Sequence, residues 1–169
     1  MFIEMKKQRL PLSCGGAEMW LRYDIRAFYN IEDSGFSPFD ILSQCSDPKA
    51  VRCFLTNGLY DWYSQIPDRN DISEYVNRLM LDEDQAQLIT SIQAAILLAL
   101  PEPVRGRKEK SSGEANILSL MTVFVDVMKA SEEEFLTSTV REATARWERY
   151  AEAMGYAEPA ERFSRYDED

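Results

Sequence analysis

The chain has 169 residues, 45% of them hydrophobic, and a net charge of −10 without a single histidine. That length suffices for one domain with a real core, or for one domain and a small second unit. The acidity disfavours non-specific attraction to nucleic acid or an anionic membrane, the missing histidine removes the commonest general base and metal ligand, and the longest apolar run, Ala94 to Leu100, has seven residues against the roughly 18 of a spanning helix.

Residues 3 to 23 predict a β-hairpin, with Arg9 to Leu12 and Ala17 to Tyr23 extended and Cys14-Gly15-Gly16 as the turn. Met19, Leu21 and Tyr23 alternate onto one face, and Glu18, Trp20 and Arg22 onto the other. Pro11 cannot donate to a ladder, so the first strand is an edge. A helix follows, capped by Asp24, with Ile25, Ala27, Phe28 and Ile31 on its apolar side and Gly35 as its stop. Ser37-Pro38 predicts a second, short helix to Leu42, the serine as N-cap and the proline in the first turn. Asp47-Pro48 opens a third, whose stripe is Val51, Phe54, Leu55, Leu59 and Trp62. Gly58 lies on that stripe and costs about 1 kcal/mol relative to alanine in a helix, so close packing is expected there.

Pro67 to Asp71 reads as a turn, and Ser73 to Met80 as a short helix with Tyr75, Val76, Leu79 and Met80 apolar. Asp82 and Gln85 predict a capping box for a helix running to Leu100. Its second half is apolar almost all round, which predicts a central, buried helix. Residues 101 to 114 read as a linker rich in proline, glycine, serine and charge.

Residues 115 to 130 predict a helix with a narrow polar strip, Ser119, Thr122, Asp126 and Lys129. Its wide apolar face calls for cover, from the first domain, from the following helix or from a partner. Ser131 with Glu134 and Thr139 with Glu142 form two capping boxes, so a short helix, a break near Thr137 and a long helix are expected. Val140, Ala143, Trp147, Tyr150 and Met154 make a stripe that wants a facing helix, in the same chain or in a second copy of a homo-oligomer. Gly155 ends it, and the tail to Asp169 is acidic. The fold class is therefore mainly α with an N-terminal β-hairpin (α+β): a compact domain over 1–100, a linker over 101–114 and a helical C-terminal unit over 115–169.

Chemistry finds little support. Cys14, Cys45 and Cys53 have no metal-ligand spacing and no base in motif distance, and read as reduced thiols. No phosphate loop, nucleophile elbow or Cys-x-x-Cys pair occurs. The clusters Asp82 to Asp84 and Glu132 to Glu134 sit at helix N-termini, where the helix dipole accounts for them. The expectation is a protein without catalytic residues, cofactor or metal. The N-terminal residues mix charge with apolar side chains and lack the core of a cleavable leader, so a cytoplasmic protein is expected. Aromatic residues are favoured interface anchors. Tyr60, Trp62 and Tyr63 bunch at the end of the third helix, Trp62 on the core stripe and the tyrosines off it. Trp20 points off the hairpin face opposite Leu21. Trp20, Tyr60 and Tyr63 are accordingly candidate partner contacts.

Two stretches resemble a known family. Leu21, Tyr23, Asp24, Ala27, Ile31, Glu32, Gly35, Phe39 and Leu42 stand where phage tail assembly chaperones place an extended segment, an aspartate-led helix, an acidic turn with glycine and a short helix. Further on, Phe135, Thr139, Arg141 and Glu142 match the small C-terminal element of many such proteins, with Val140 for the usual proline and Ala143 for the usual leucine. Together the two cover roughly residues 17 to 65 and 131 to 154, in the family's order. The resemblance implies a chaperone of a siphophage or prophage, at work in the host cytoplasm and absent from the mature virion. Its first domain would coat the tape-measure protein and its second unit would recruit tail-tube subunits. Phe135 and Arg141, which carry the second match, and Trp147 on the pairing stripe complete the candidate partner contacts. A reading from another class also fits the residues, a small acidic helical adaptor or regulator of another protein.

Overall fold

A two-stranded antiparallel hairpin opens the fold, and seven helices follow it among the described residues. The structure is a computed structural model and describes residues 8–14, 17–59, 69–101 and 121–156. Strands β1 (Leu10–Cys14) and β2 (Ala17–Leu21) place Leu10 opposite Leu21, Leu12 opposite Met19 and Cys14 opposite Ala17. The Gly15-Gly16 turn lies outside the described residues. Leu12, Met19 and Leu21 are buried on one face, as the alternation requires. Arg22, assigned by that alternation to the face away from the core, is also buried, because the C-terminal helices cover it.

Helix α1 (Ile25–Asp33) buries Ile25, Ala27, Phe28 and Ile31, and the Asp24 carboxylate accepts the Ala27 N–H at 2.8 Å as its N-cap. Gly35 follows at φ 88°, letting the Phe36 and Gly35 amides close on the carbonyls of Ile31 and Glu32. The helix expected from Ser37 to Leu42 does not form; successive turns stand in its place. Gln44 explains this. Its side chain accepts the Ser37 N–H at 2.9 Å and donates to the carbonyls of Ser37 and Asp40, while the Asp40 carboxylate accepts from Ser43 N–H. Side chains thus take the backbone groups a helix would have paired. Phe39 still packs on Phe28, ring centroids 4.8 Å apart, and Ile41 is buried.

Helix α2 (Pro48–Leu59) lies at the centre and buries Val51, Phe54, Leu55, Gly58 and Leu59; Trp62 is outside the described residues. Helix α3 (Arg69–Asp82) starts four residues before the expected Ser73, because Ile72 adds another buried position to the stripe of Val76 and Leu79. It also consumes Asp82. The cap of α4 (Gln85–Ala99) is therefore Asp84, which accepts from Ala86 N–H, and Gln85 turns instead to the Cys45 carbonyl. Helix α4 is not enclosed all round: Leu88, Ile92, Ala95, Ile96 and Ala99 are buried, but Leu97 is 59% exposed.

Met121 and Thr122 are helical and run into a single π-helical turn, α5 (Val123–Val127), closed by Met128 N–H on the Val123 carbonyl; residues 115 to 120 of the expected helix lie outside the described residues. Lys129, at φ 58°, turns the chain out of it. Both predicted capping boxes are present, Ser131/Glu134 on α6 (Glu132–Leu136) and Thr139/Glu142 on α7 (Val140–Ala153). Gly155, at φ 73°, ends α7 with the same closure seen at Gly35, Tyr156 N–H reaching the Ala151 carbonyl. Phe124, Phe135, Val140 and Ala143 join the hydrophobic cluster formed by the hairpin and α1 to α4. The C-terminal helices thus dock on the preceding ones.

Candidate partner-contact surface

The hairpin exit, α1 and the α6–α7 corner meet at Arg22. Its guanidinium lies 2.8 and 3.3 Å from the two Glu142 carboxylate oxygens and 3.2 Å from the Thr137 carbonyl. The carbonyl belongs to the C-cap of α6, where the helix dipole favours a cation. The forked geometry suits arginine rather than lysine. Around it, Ile25 N–H donates to the Ser138 carbonyl, Arg26 reaches Glu133, and the Thr139 hydroxyl donates to the Gln8 side-chain oxygen. Elsewhere on α7, Arg141 donates to the carbonyls of Leu100 and Leu97 at the C-terminal end of α4.

Asp24 sits beside this cluster. Burial raises its carboxyl from 3.8 to about 6, against the Ala27 N–H and the Arg22 and Arg26 guanidiniums, which favour the charged form; Glu142 adds a small upward push. A carboxyl whose folded value is raised binds its proton more tightly in the folded chain. Between pH about 4 and 6 stability therefore falls as pH rises. A rise of that size corresponds to about 3 kcal/mol, reduced by solvent screening at this partly exposed group to about 1–2 kcal/mol. Asp24→Asn keeps a capping side chain and is expected to stabilise the chain by that amount at pH 7, with the gain vanishing below pH about 4. Urea denaturation of both proteins at the two pH values measures it; an equal difference at both would remove Asp24 as the source.

The sequence-predicted contacts separate. Phe135 is fully buried, its ring centroid 5.5 Å from that of Phe124, and Arg141 is engaged with α4 as above. Both thus make contacts within the chain. Trp20 is half-buried under the Arg9 guanidinium, which stands 4.2 Å from its ring centroid. Tyr60 and Tyr63 lie outside the described residues. Trp147 is half-buried and stacks on Tyr150 at 6.0 Å, and Tyr150 meets Tyr156 at 6.5 Å. With Met154, more than half exposed like Tyr156, they give the end of α7 an aromatic and apolar outer surface. Tyr156 follows the helix stop, and Gly155 places it here, because its closure folds the next residue back on the helix.

Among the described residues no group of three or more histidines, cysteines, aspartates and glutamates could hold a metal ion. Cys45 and Cys53 are free thiols, the first against the Leu42 carbonyl and the second beside the Asn57 amide. Tyr23, whose hydroxyl donates to the Phe54 carbonyl at 2.8 Å, is held in its neutral form by burial and, less strongly, by nearby Cys53. No helix among the described residues is long and apolar enough to cross a membrane. No family model, no curated protein and no solved structure matches the chain.

Proposed function

We propose that the chain is a non-enzymatic assembly chaperone of a tailed phage or prophage, acting in the host cytoplasm on the tape-measure and tail-tube proteins. The observation that carries this reading is the pair of resemblances, in order, over residues 17 to 65 and 131 to 154. The fold gives most of those residues structural work. Leu21, Tyr23, Ala27 and Ile31 are core, Asp24 and Thr139 are helix caps, Gly35 is a helix stop, and Phe135 and Glu142 seat the C-terminal helices. The resemblance itself rests on the sequence, and the partners follow from it as inference. A helical chaperone shields an amphipathic client helix by offering apolar side chains of its own, and a net charge of −10 keeps the complex soluble.

The test is co-expression of the full chain with the tape-measure and tail-tube proteins of the same genome. The tape measure is expected in the soluble fraction, bound to the chain. A Met154→Glu/Tyr156→Ser variant, altered only at exposed positions, is expected to lose tail-tube capture at least tenfold while still holding the tape measure. A folded chain that captures neither protein would end the assembly reading. The acidic adaptor or regulator would then replace it.

A further inference from the structure

We propose that α5 to α7 leave the hairpin and α1 as one piece, released by rupture of the Arg22 clamp, while α1 to α4 stay folded. The proposal holds whether or not the assembly reading does.

The two sides of this boundary are held differently. Across it run polar links, Arg22 to Glu142 and the Thr137 carbonyl, Arg26 to Glu133, Ile25 N–H to the Ser138 carbonyl, the Thr139 hydroxyl to Gln8 and Arg141 to the end of α4, together with the apolar contacts of Phe124, Phe135, Val140 and Ala143. Within the C-terminal piece the links are its own. Phe124 lies between Phe135 and the Arg146 guanidinium, 4.8 Å from its ring centroid; Arg146 also reaches Glu134. Both capping boxes and the Gly155 closure are internal to it. On the other side, the packing of Tyr23 on Phe28, Phe54 and Gly58 involves no residue of α5 to α7.

The charges favour separation of whole surfaces. Removing one partner of a buried ion pair strands the other, but parting both returns each to water and recovers its hydration. Glu142 keeps a bond in the open form, because its carboxylate also accepts the Thr139 N–H at 2.9 Å. The Ile25 amide, in the first turn of α1, meets water as unpaired first-turn donors commonly do. The apolar contacts of Phe135, Val140 and Ala143 with the main cluster oppose opening and hold the closed form as the ground state.

Hydrogen exchange of the full chain, read by mass spectrometry, tests this. In the wild-type chain the amides of α6 and α7 are expected to exchange at least tenfold faster than those of α2, with a shallower dependence on added urea. Arg22→Gln is expected to speed exchange in α6, α7 and the start of α1 by tenfold or more and to leave α2 and α3 unchanged. If urea slopes coincide for α2 and α7 in the wild-type chain, the C-terminal piece opens only by global unfolding and the proposal fails; that arm stands even if the variant does not fold. A folded variant whose α6 and α7 amides exchange no faster, or no faster than those of α2, overturns it too.

Discussion

Gly58→Ala is expected to destabilise the chain by about 2–3 kcal/mol, although alanine is the better helix former by about 1 kcal/mol. The glycine carries no left-handed backbone; its function is contact. A Cβ built there stands 2.7 Å from Tyr23 Cζ, 2.8 Å from its hydroxyl and 3.1 Å from a Leu21 methyl. The far end of a side chain often swings away from such an intrusion. Tyr23 is fully buried, stacked with Phe28 at 6.1 Å and bonded to the Phe54 carbonyl, so moving its ring costs the bond and the packing together. The backbone adds a constraint, since Arg22 N–H donates to the Gly58 carbonyl and ties the hairpin to α2 at the same point. Urea midpoints of the wild type, Gly58→Ala, Tyr23→Leu and the double variant decide the cause. The double variant is expected to be at least 1 kcal/mol more stable than the two single losses added together, as coupled neighbours are. Gly58→Ala matching or exceeding wild-type stability would mean the close approach does not exist.

This contact shows how far the sequence could be read. Gly58 on an apolar stripe already signalled close packing, because a glycine in a helix needs an offsetting gain, and the partner is the tyrosine at the end of the hairpin. Caps and stops were equally legible. Asp24, Gly35, Ser131, Thr139 and Gly155 act as their types and spacings predict, since each operates within a few residues of itself. Where a distant residue decides, local pattern fails. Gln44, seven residues on, replaces the helix expected after Ser37; Ile72 lengthens α3 until Asp82 is spent and Asp84 becomes the cap. Arg22 is the clearest example. Strand alternation sends it outward, and only Glu142, 120 residues away, makes that outward face an interior one. The candidate surface was legible in part for the same reason. Trp147 and Tyr150 share a helical stripe, whereas the engagement of Phe135 and Arg141 depends on which helices pack beside them.

Phe135→Ala is expected to cost about 3–5 kcal/mol, the usual loss for emptying a buried aromatic site. Its ring is completely enclosed and shares the space between α6 and α5 with Phe124. The α6 capping box gives little room for the helix to collapse into the void, because Ser131 and Glu134 already fix its first turn. A partner-contact role for this side chain has a different signature: the truncated chain would keep its denaturation midpoint and lose only its capture of the tail proteins proposed as partners. Measuring both on one preparation separates the two. Loss of stability with capture restored in proportion to the folded fraction identifies Phe135 as the anchor of the C-terminal helices. That phenylalanine then holds in place the helix carrying the half-buried Trp147 and Tyr150 and leading to the exposed Tyr156.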